Sequence, residues 1–446
     1  MWSIKLRYRK QWSSFEIIIL GFAGVILAGA LLLMLPVASR EGNVTPFTET
    51  LFTATSAACV TGLAVRDTGS YWSVFGQSVI LLLIQIGGLG VVTIAVSIAM
   101  LSGRKISLMQ RSTMQDAISA PKVGGIVRLT RFILKGTFGI ELLGALFLLP
   151  VFLRDYGGKG IWMALFHSVS AFCNAGFDLL GKTDHLYPSL TSYVGNPLVN
   201  LTIMGLIVIG GIGFLTWDDF CTNKWNLKRY RLQSKIILVT TAVLILLPAL
   251  FFFLSDFAGF SMGKRILASL FQSVTLRTAG FNTADLGAMN DSSKAIMTLM
   301  MLIGGSPGST AGGMKTTTIA VLILNAFATF GREPETEVFG RRFDNTVVKN
   351  AATIAILYFF LFFTGGIAIS QIEHVALSDC LFETASAVGT AGLTLGITTE
   401  LGLVSHLILV VLMYLGRVGG LTLIYAAISV KIQSGAKRPL DKITVG

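Results

Sequence analysis

One short pattern occurs four times in this chain, and no other feature constrains its fold as strongly. Leu-Phe is followed by a polar residue, a few small residues, and a glycine that precedes Leu or Phe. The copies are LFTATSAACVTGL at 51–63, LFHSVSAFCNAGF at 165–177, LFQSVTLRTAGF at 270–281 and LFETASAVGTAGL at 381–393. Their final glycines, Gly62, Gly176, Gly280 and Gly392, stand 114, 104 and 112 residues apart. Such spacing reads as one unit of roughly 100 residues built four times, with boundaries at 1–105, 106–225, 226–335 and 336–446. Four similar units in one chain can surround an axis.

The setting is a membrane. Of the residues, 53% are hydrophobic and only 13% charged, and several apolar stretches exceed what is needed to cross ~30 Å of hydrocarbon. Stretches 17–38, 78–101, 132–153, 198–217, 236–254, 351–372 and 403–430 read as spanning helices, and no separate soluble domain is apparent. The first follows Lys5, Arg7, Arg9 and Lys10 but has no small-residue cleavage site, so it reads as a retained anchor.

Charge placement sets the orientation. Lys and Arg crowd into alternate connections: 5–10, 104–135, 224–235, 332–349 and 431–442. The positive-inside rule puts all five on the cytoplasmic side, with both termini inside. Every glycine motif then falls in an outward-facing connection between the two spans of its unit. About ten mildly apolar residues are too few to span, so each motif reads as a short re-entrant helix returning through an extended strand. The expected fold is an all-α integral membrane protein with eight spans, in four pseudo-symmetric span, pore-helix, span repeats around a central pore.

That arrangement suits a desolvated cation. An ion leaving water needs several oxygen dipoles at once, and backbone carbonyls supply them without a full charge that would trap it. Glycine allows positive φ and turns successive carbonyls to one side without a clash. The preceding helix ends with its negative pole near the same place. A lone glycine in a membrane helix commonly serves close packing; four copies, each nine or ten residues after Leu-Phe, argue for a shared task.

With the glycine-rich second spans that follow them, the four motifs resemble the Trk/Ktr/HKT superfamily of potassium transporters over nearly the whole chain. The short N-terminus is most similar to the membrane subunit of bacterial Ktr systems. The resemblance implies that Gly62, Gly176, Gly280 and Gly392 are selectivity-filter glycines. Val60, Thr61, Asn174, Ala175, Thr278, Ala279, Thr390 and Ala391 would line the filter through main-chain oxygens. It further implies gated potassium uptake across a bacterial plasma membrane, a homodimer, and a cytoplasmic nucleotide-binding ring of the RCK type, since the chain carries no regulatory domain of its own. No cofactor is expected, potassium being the cargo.

Glycine clusters at 87–90, 210–213, 304–305 and 416–420 fall on the second spans, where close helix packing is the ordinary explanation. The third differs. Gly304, Gly305, Ser306, Pro307, Gly308, Ser309, Thr310, Ala311, Gly312 and Gly313 concentrate helix breakers in the middle of an expected span. A proline costs a helix interior about 3 kcal/mol and each glycine about 1 kcal/mol. Non-helical backbone at that depth survives only if buried or lining a wet cavity, so a gating loop beneath the filter is expected at 303–315. The family resemblance implies the same.

Arg277, Lys315 and Arg417 fall at membrane depth, where charge is costly enough to be functional by default. Arg417 is expected to face the pore beneath the filter, bonded to loop carbonyls, as part of the barrier. Arg277 is expected to turn away toward a carboxylate, Glu383 or Asp379. Glu141 pairs with a neighbour or stays neutral. GSTAGGMKT at 308–316 imitates a phosphate loop but has Met314 where the lysine belongs, and IGGLGVV at 86–92 lacks the flanking strand and acidic residue of a dinucleotide loop. Four cysteines and four histidines show neither a disulfide pattern nor metal spacing. An enzyme would need a nucleophile, base or metal cluster that the sequence lacks. A secondary transporter of an organic solute, the alternative function, usually has inverted repeats, whereas these share one orientation.

Overall fold

The computed structural model describes residues 13–102, 106–118, 124–184, 186–420 and 422. The basic stretches at 5–10 and 431–442 lie outside the described residues. Helix α1 (Ser14–Leu33) starts on a capping box between Ser13 and Glu16 and is followed by a short buried helix, α2 (Phe47–Ala58). Then come α3 (Val74–Leu89), α4 (Val91–Leu101) and a connecting helix α5 (Leu108–Ala117). The next round repeats the order with α6 (Ile126–Tyr156), α7 (Lys159–Phe172), α8 (Pro197–Gly211) and α9 (Phe214–Asn223). The third has α10 (Leu232–Leu254), α11 (Met262–Thr275), α12 (Asp291–Met301) and α13 (Thr316–Phe330). The last has α14 (Asn345–Glu373), α15 (Leu377–Gly389) and α16 (Leu403–Val418). A two-residue hairpin, Glu337–Val338 against Arg341–Arg342, is the sole sheet among the described residues.

Helices α1, α6, α10 and α14 are each long and apolar enough to cross a membrane. Their outer faces carry exposed apolar side chains such as Leu246, Leu247, Phe359 and Phe360, which suit hydrocarbon rather than water. The protein is therefore a multi-pass membrane protein.

The expected second spans at 78–101 and 198–217 are not straight, and the described part of 403–430 is interrupted at Gly419. The α3–α4 pair bends by 96° at Gly90 and α8–α9 by 97° at Gly213, while α16 ends at Gly419. All three glycines adopt nearly the same backbone, φ 85 to 92° and ψ 137 to 141°, a region essentially closed to side chains. The same clusters also serve packing. A Cβ at Gly87, Gly210 or Gly416 would lie 2.2, 2.0 or 2.1 Å from the carbonyl oxygens of Ala58, Phe172 or Val388. Each of these carbonyls belongs to the end of the short helix in the same round. In the third round helix is absent between Met301 and Thr316, as the Pro/Gly content of 303–313 dictates.

The rounds pack in a cycle. Helix α3 contacts α7, α8 contacts α11, α12 contacts α15, and α16 returns to α2. Each second helix thus abuts the short helix of the following round, and the last closes on the first.

Candidate functional site

The short helices α2, α7, α11 and α15 all end in the same way. The residue two before the motif glycine is left-handed: Val60, Asn174, Thr278 and Thr390 have φ of 58, 59, 60 and 51°. For β-branched residues this is an outlier, and strain of this kind costs about 1–3 kcal/mol and gathers at working sites. In three copies it closes a six-to-one helix cap, with Thr61, Ala175 and Ala391 amides donating to the carbonyls of Ser56, Ser170 and Ser386 at 2.7–2.8 Å. The glycines themselves follow at φ 100, 69, 80 and 82°. A hydroxyl residue five positions after the motif Leu then reaches the strand: Ser56 accepts from the Gly62 amide at 3.1 Å, Ser170 donates to the Phe177 carbonyl at 2.7 Å, and Thr275 to that of Phe281. Sequence reasoning missed this device, although the Ser or Thr stands at that position in all four motifs.

The four glycines meet. A Cβ at Gly62 would stand 2.6 Å from Ala175 O, at Gly176 2.8 Å from Ala279 O, at Gly280 3.0 Å from Ala391 O and at Gly392 2.0 Å from Thr61 O. Each glycine thus touches the next copy, in chain order, and the fourth touches the first. The buried hydroxyls of Thr61, Thr278 and Thr390 have no protein partner. A buried polar atom left unsatisfied normally signals a water or ion.

Two cavities flank this ring. One of about 250 Å³ is lined by all four glycines and by residues that follow them, including Asp67, Asp178 and Asp285. The other, of about 210 Å³, is lined by Gly88 to Val92, the loop residues Gly308, Ser309, Ala311 and Gly313, and by Lys315 and Arg417. Between ring and second cavity lies the 303–315 loop. Its Thr310 hydroxyl is bonded to Phe172 O at 3.1 Å and to Asn174 Oδ1 at 3.2 Å. A Cβ at Gly312 would strike the Thr390 side chain at 2.3 Å, and one at Gly313 would lie 2.7 Å from Gly389 O. The loop therefore presses on the residues that precede the glycines.

The backbone of the loop is tied to its neighbours at several points. Gly304 N bonds Met314 O at 2.7 Å, Ser306 N bonds Gly211 O at 2.9 Å, Gly313 N bonds Gly416 O at 3.2 Å, and the Phe214 amide at the start of α9 donates to Gly308 O at 2.8 Å. Arg417 donates to the carbonyls of Thr310 and Gly87, and to that of Gly88 at 3.2 Å. Lys315 Nζ donates to Ala311 O at 2.7 Å. Two cations thus hold the loop from the side of the second cavity.

A family model described as a cation transport protein, TrkH, matches residues 9–436. The chain belongs to the TrkH family. It is 36% identical over 455 residues to the potassium/sodium uptake protein NtpJ of Enterococcus hirae, covering 99% of each chain. To the Ktr system potassium uptake protein B of Bacillus subtilis it is 38% identical, over 98% of each. In fold it is similar to the crystal structure of the potassium transporter TrkH from Vibrio parahaemolyticus, at a TM-score of 0.72 and 19% identity, over 95% of this chain and 86% of that one. The family is one of transport proteins, not enzymes.

One sequence expectation needs correction in this TrkH-family chain. Arg277 is buried, but its guanidinium reaches the Gly304 carbonyl at 3.4 Å and no carboxylate among the described residues. The reason is placement: Arg277 faces the loop, whereas Glu383 lies behind the outer strand of the fourth motif, bonded to Thr394 and Thr398, and Asp379 takes a hydrogen bond from Ser378 at 3.1 Å. A buried cation at this depth is satisfied by carbonyl dipoles as well as by a counter-charge. Glu141, left open by the sequence, accepts from Gln85 at 3.4 Å and from the Cys173 thiol at 3.9 Å.

Proposed function

We propose that this chain is the potassium-conducting subunit of a gated uptake system in a bacterial plasma membrane. The closed ring of Gly62, Gly176, Gly280 and Gly392 is the observation that carries the reading. Four left-handed residues and four positive-φ glycines, brought together by the cyclic packing of the helices, offer main-chain oxygen to a dehydrated monovalent ion. The names of the relatives, which refer to potassium uptake, support the same cargo. On this reading the four units 1–105, 106–225, 226–335 and 336–446 are pseudo-symmetric about one pore. Val60, Thr61, Asn174, Ala175, Thr278, Ala279, Thr390 and Ala391 share the filter with the glycines.

The segment from Gly304 to Gly313, with Arg417, forms the gate below. A fixed positive charge in the path repels a cation, and here its donors also hold the obstructing loop. The acidic first cavity is the outer entrance, where Asp67, Asp178 and Asp285 modestly concentrate cations. Both termini are cytoplasmic, and inward movement is driven by the membrane potential at about 2.3 kcal/mol per 100 mV. The inner basic excess and the name of the Ktr relatives support a cytoplasmic partner, a nucleotide-binding ring of the RCK type acting on a homodimer.

Rubidium uptake by the purified chain in liposomes, with sodium as competitor, tests the reading. Potential-driven uptake that potassium suppresses and organic solutes do not is the expected result. Transport of an organic solute without alkali-ion flux would replace it with a secondary transporter.

A further inference from the structure

The residue immediately after each Leu-Phe pair is polar and buried: Thr53, His167, Gln272 and Glu383. All four stand on the short helices behind the ring, yet only two reach the strand that leaves it. His167 and Glu383 do so from opposite members of the cycle, the second and the fourth.

His167 bonds at both ring nitrogens. Nδ1 lies 2.7 Å from the Met163 carbonyl, which can only accept, and Nε2 lies 3.4 Å from the Leu179 amide, which can only donate. The contacts therefore specify a neutral ring with its proton on Nδ1. Leu179 is the third residue after Gly176.

Glu383 holds the equivalent stretch of the fourth copy more completely. One carboxylate oxygen accepts from the Thr394 hydroxyl, and the other from the Thr398 hydroxyl at 2.8 Å. Thr394 Oγ1 in turn accepts from the Gly396 amide at 2.9 Å. On the far side, His406 Nε2 donates to the Thr398 carbonyl at 2.8 Å and its ring stacks edge-on against Phe52 of the first copy. Thr394 and Thr398 line the outer cavity together with Gly392. A fully buried carboxylate whose acceptors are all turned toward one cavity wall is placed to fix that wall.

We propose that Glu383, with His167 opposite, is a specificity-determining positioning residue: it sets the strand after Gly392, and so the width and carbonyl direction of the outer half of the ion path. The inference rests on the pore reading above. A coordination cage distinguishes potassium from smaller sodium only while its oxygens are held at a set spacing or field strength. Without the brace, strand 392–398 relaxes and accepts both ions.

The test uses the full chain in liposomes and measures the ratio of rubidium to sodium uptake. Wild-type chain that carries no alkali ion removes the pore reading itself. If wild type is selective, Glu383→Ala is expected to lower the ratio at least tenfold while flux persists, with His167→Ala acting in the same direction. Glu383→Gln retains one acceptor oxygen for the threonines and is expected to recover most of the ratio. Thr394→Val and Thr398→Val remove the donors at constant shape and should copy the alanine variant, which keeps the question decidable if Glu383→Ala does not fold. Glu373→Ala is the control, because Glu373 also holds a hydroxyl and an amide, Ser405 and Gly402 at 2.5 and 2.9 Å, but away from the cavity. An unchanged ratio in folded Glu383→Ala or in both valine variants, or an equal loss in Glu373→Ala, overturns the proposal.

Discussion

The guanidinium of Arg417 donates to the main-chain oxygen of Thr310, 107 residues away in sequence. Its other nitrogen holds the carbonyls of Gly87 and Gly88, so one side chain joins the end of α16, the intramembrane loop and the bend after α3. Thr310 carries the connection upward to Asn174 through its hydroxyl. The glycine ring and the 303–315 loop are thereby joined directly.

Arg417→Ala removes both the charge and the tie. Each charge-assisted hydrogen bond is worth about 1.5–3 kcal/mol, so rubidium flux in liposomes should rise by tenfold or more. Arg417→Lys, which keeps the charge but cannot reach two carbonyl groups in a fixed fork, should give an intermediate rate. Flux unaltered in both variants would make the residue scaffolding.

Deleting 306–313 should raise potassium flux as well, because the segment contributes the bonds to Gly211 and Gly308's partner Phe214 and little of the apolar core. A correctly folded deletion with wild-type or lost flux counts against the loop as a gate.

Gly392→Ala should abolish potassium uptake. The new methyl would lie 2.0 Å from Thr61 O at a φ of 82°, so the neighbouring strand must move. Gly42→Ala isolates the backbone part, since φ there is 75° with open space around it. That part costs about 1–2 kcal/mol. Gly42→Ala should show slightly lower thermal stability and normal uptake.

Gly90→Ala and Gly213→Ala separate bend from loop in the same way. Both glycines have backbone torsions that disfavour a side chain, but the nearest atom at Gly90 is 3.9 Å away while Pro307 O stands 2.8 Å from a Cβ at Gly213. Strain of about 1–3 kcal/mol should lower the unfolding temperature of both. Only Gly213→Ala should change flux, since it alone pushes the loop.

The cavity lined by the four glycines should give uptake a pH dependence near neutrality. Burial, reinforced by nearby Asp67, pushes the Asp178 carboxyl up to about 7, although the Leu180 amide at 2.9 Å opposes the shift. Asp178 stands on the connection outside the spans. Between the ordinary aspartate value of about 4 and about 7, the folded chain holds a proton that the unfolded chain has released. Stability therefore falls as pH rises through that window. Cation uptake moves the other way, because the carboxylate is charged only above it. Rubidium uptake measured at external pH 6 and 8 should be higher at 8, and Asp178→Asn should flatten the difference.

Local chemistry made a large part of this protein legible in its sequence. Repetition exposed the four glycine motifs, and the cost of proline and glycine inside a helix located the break between Met301 and Thr316, because both follow from bonds within a few residues. Membrane placement was equally plain from hydropathy. The bends at Gly90 and Gly213 were not legible: a glycine in a membrane helix serves close packing and chain reversal alike, and only what lies against it decides which. Arg277 was misread for a related reason, since a buried cation is satisfied by any convergent oxygens and the loop carbonyl, not a carboxylate, was the one within reach. The tertiary structure alone decided which copy each glycine touches, that Asn174 meets Thr310, and that Glu383 holds Thr398, because these contacts depend on how the described helices close on one another. Hydropathy and local strain place each segment at its depth; the partner of a buried polar atom is fixed only when packing leaves one group within hydrogen-bonding distance.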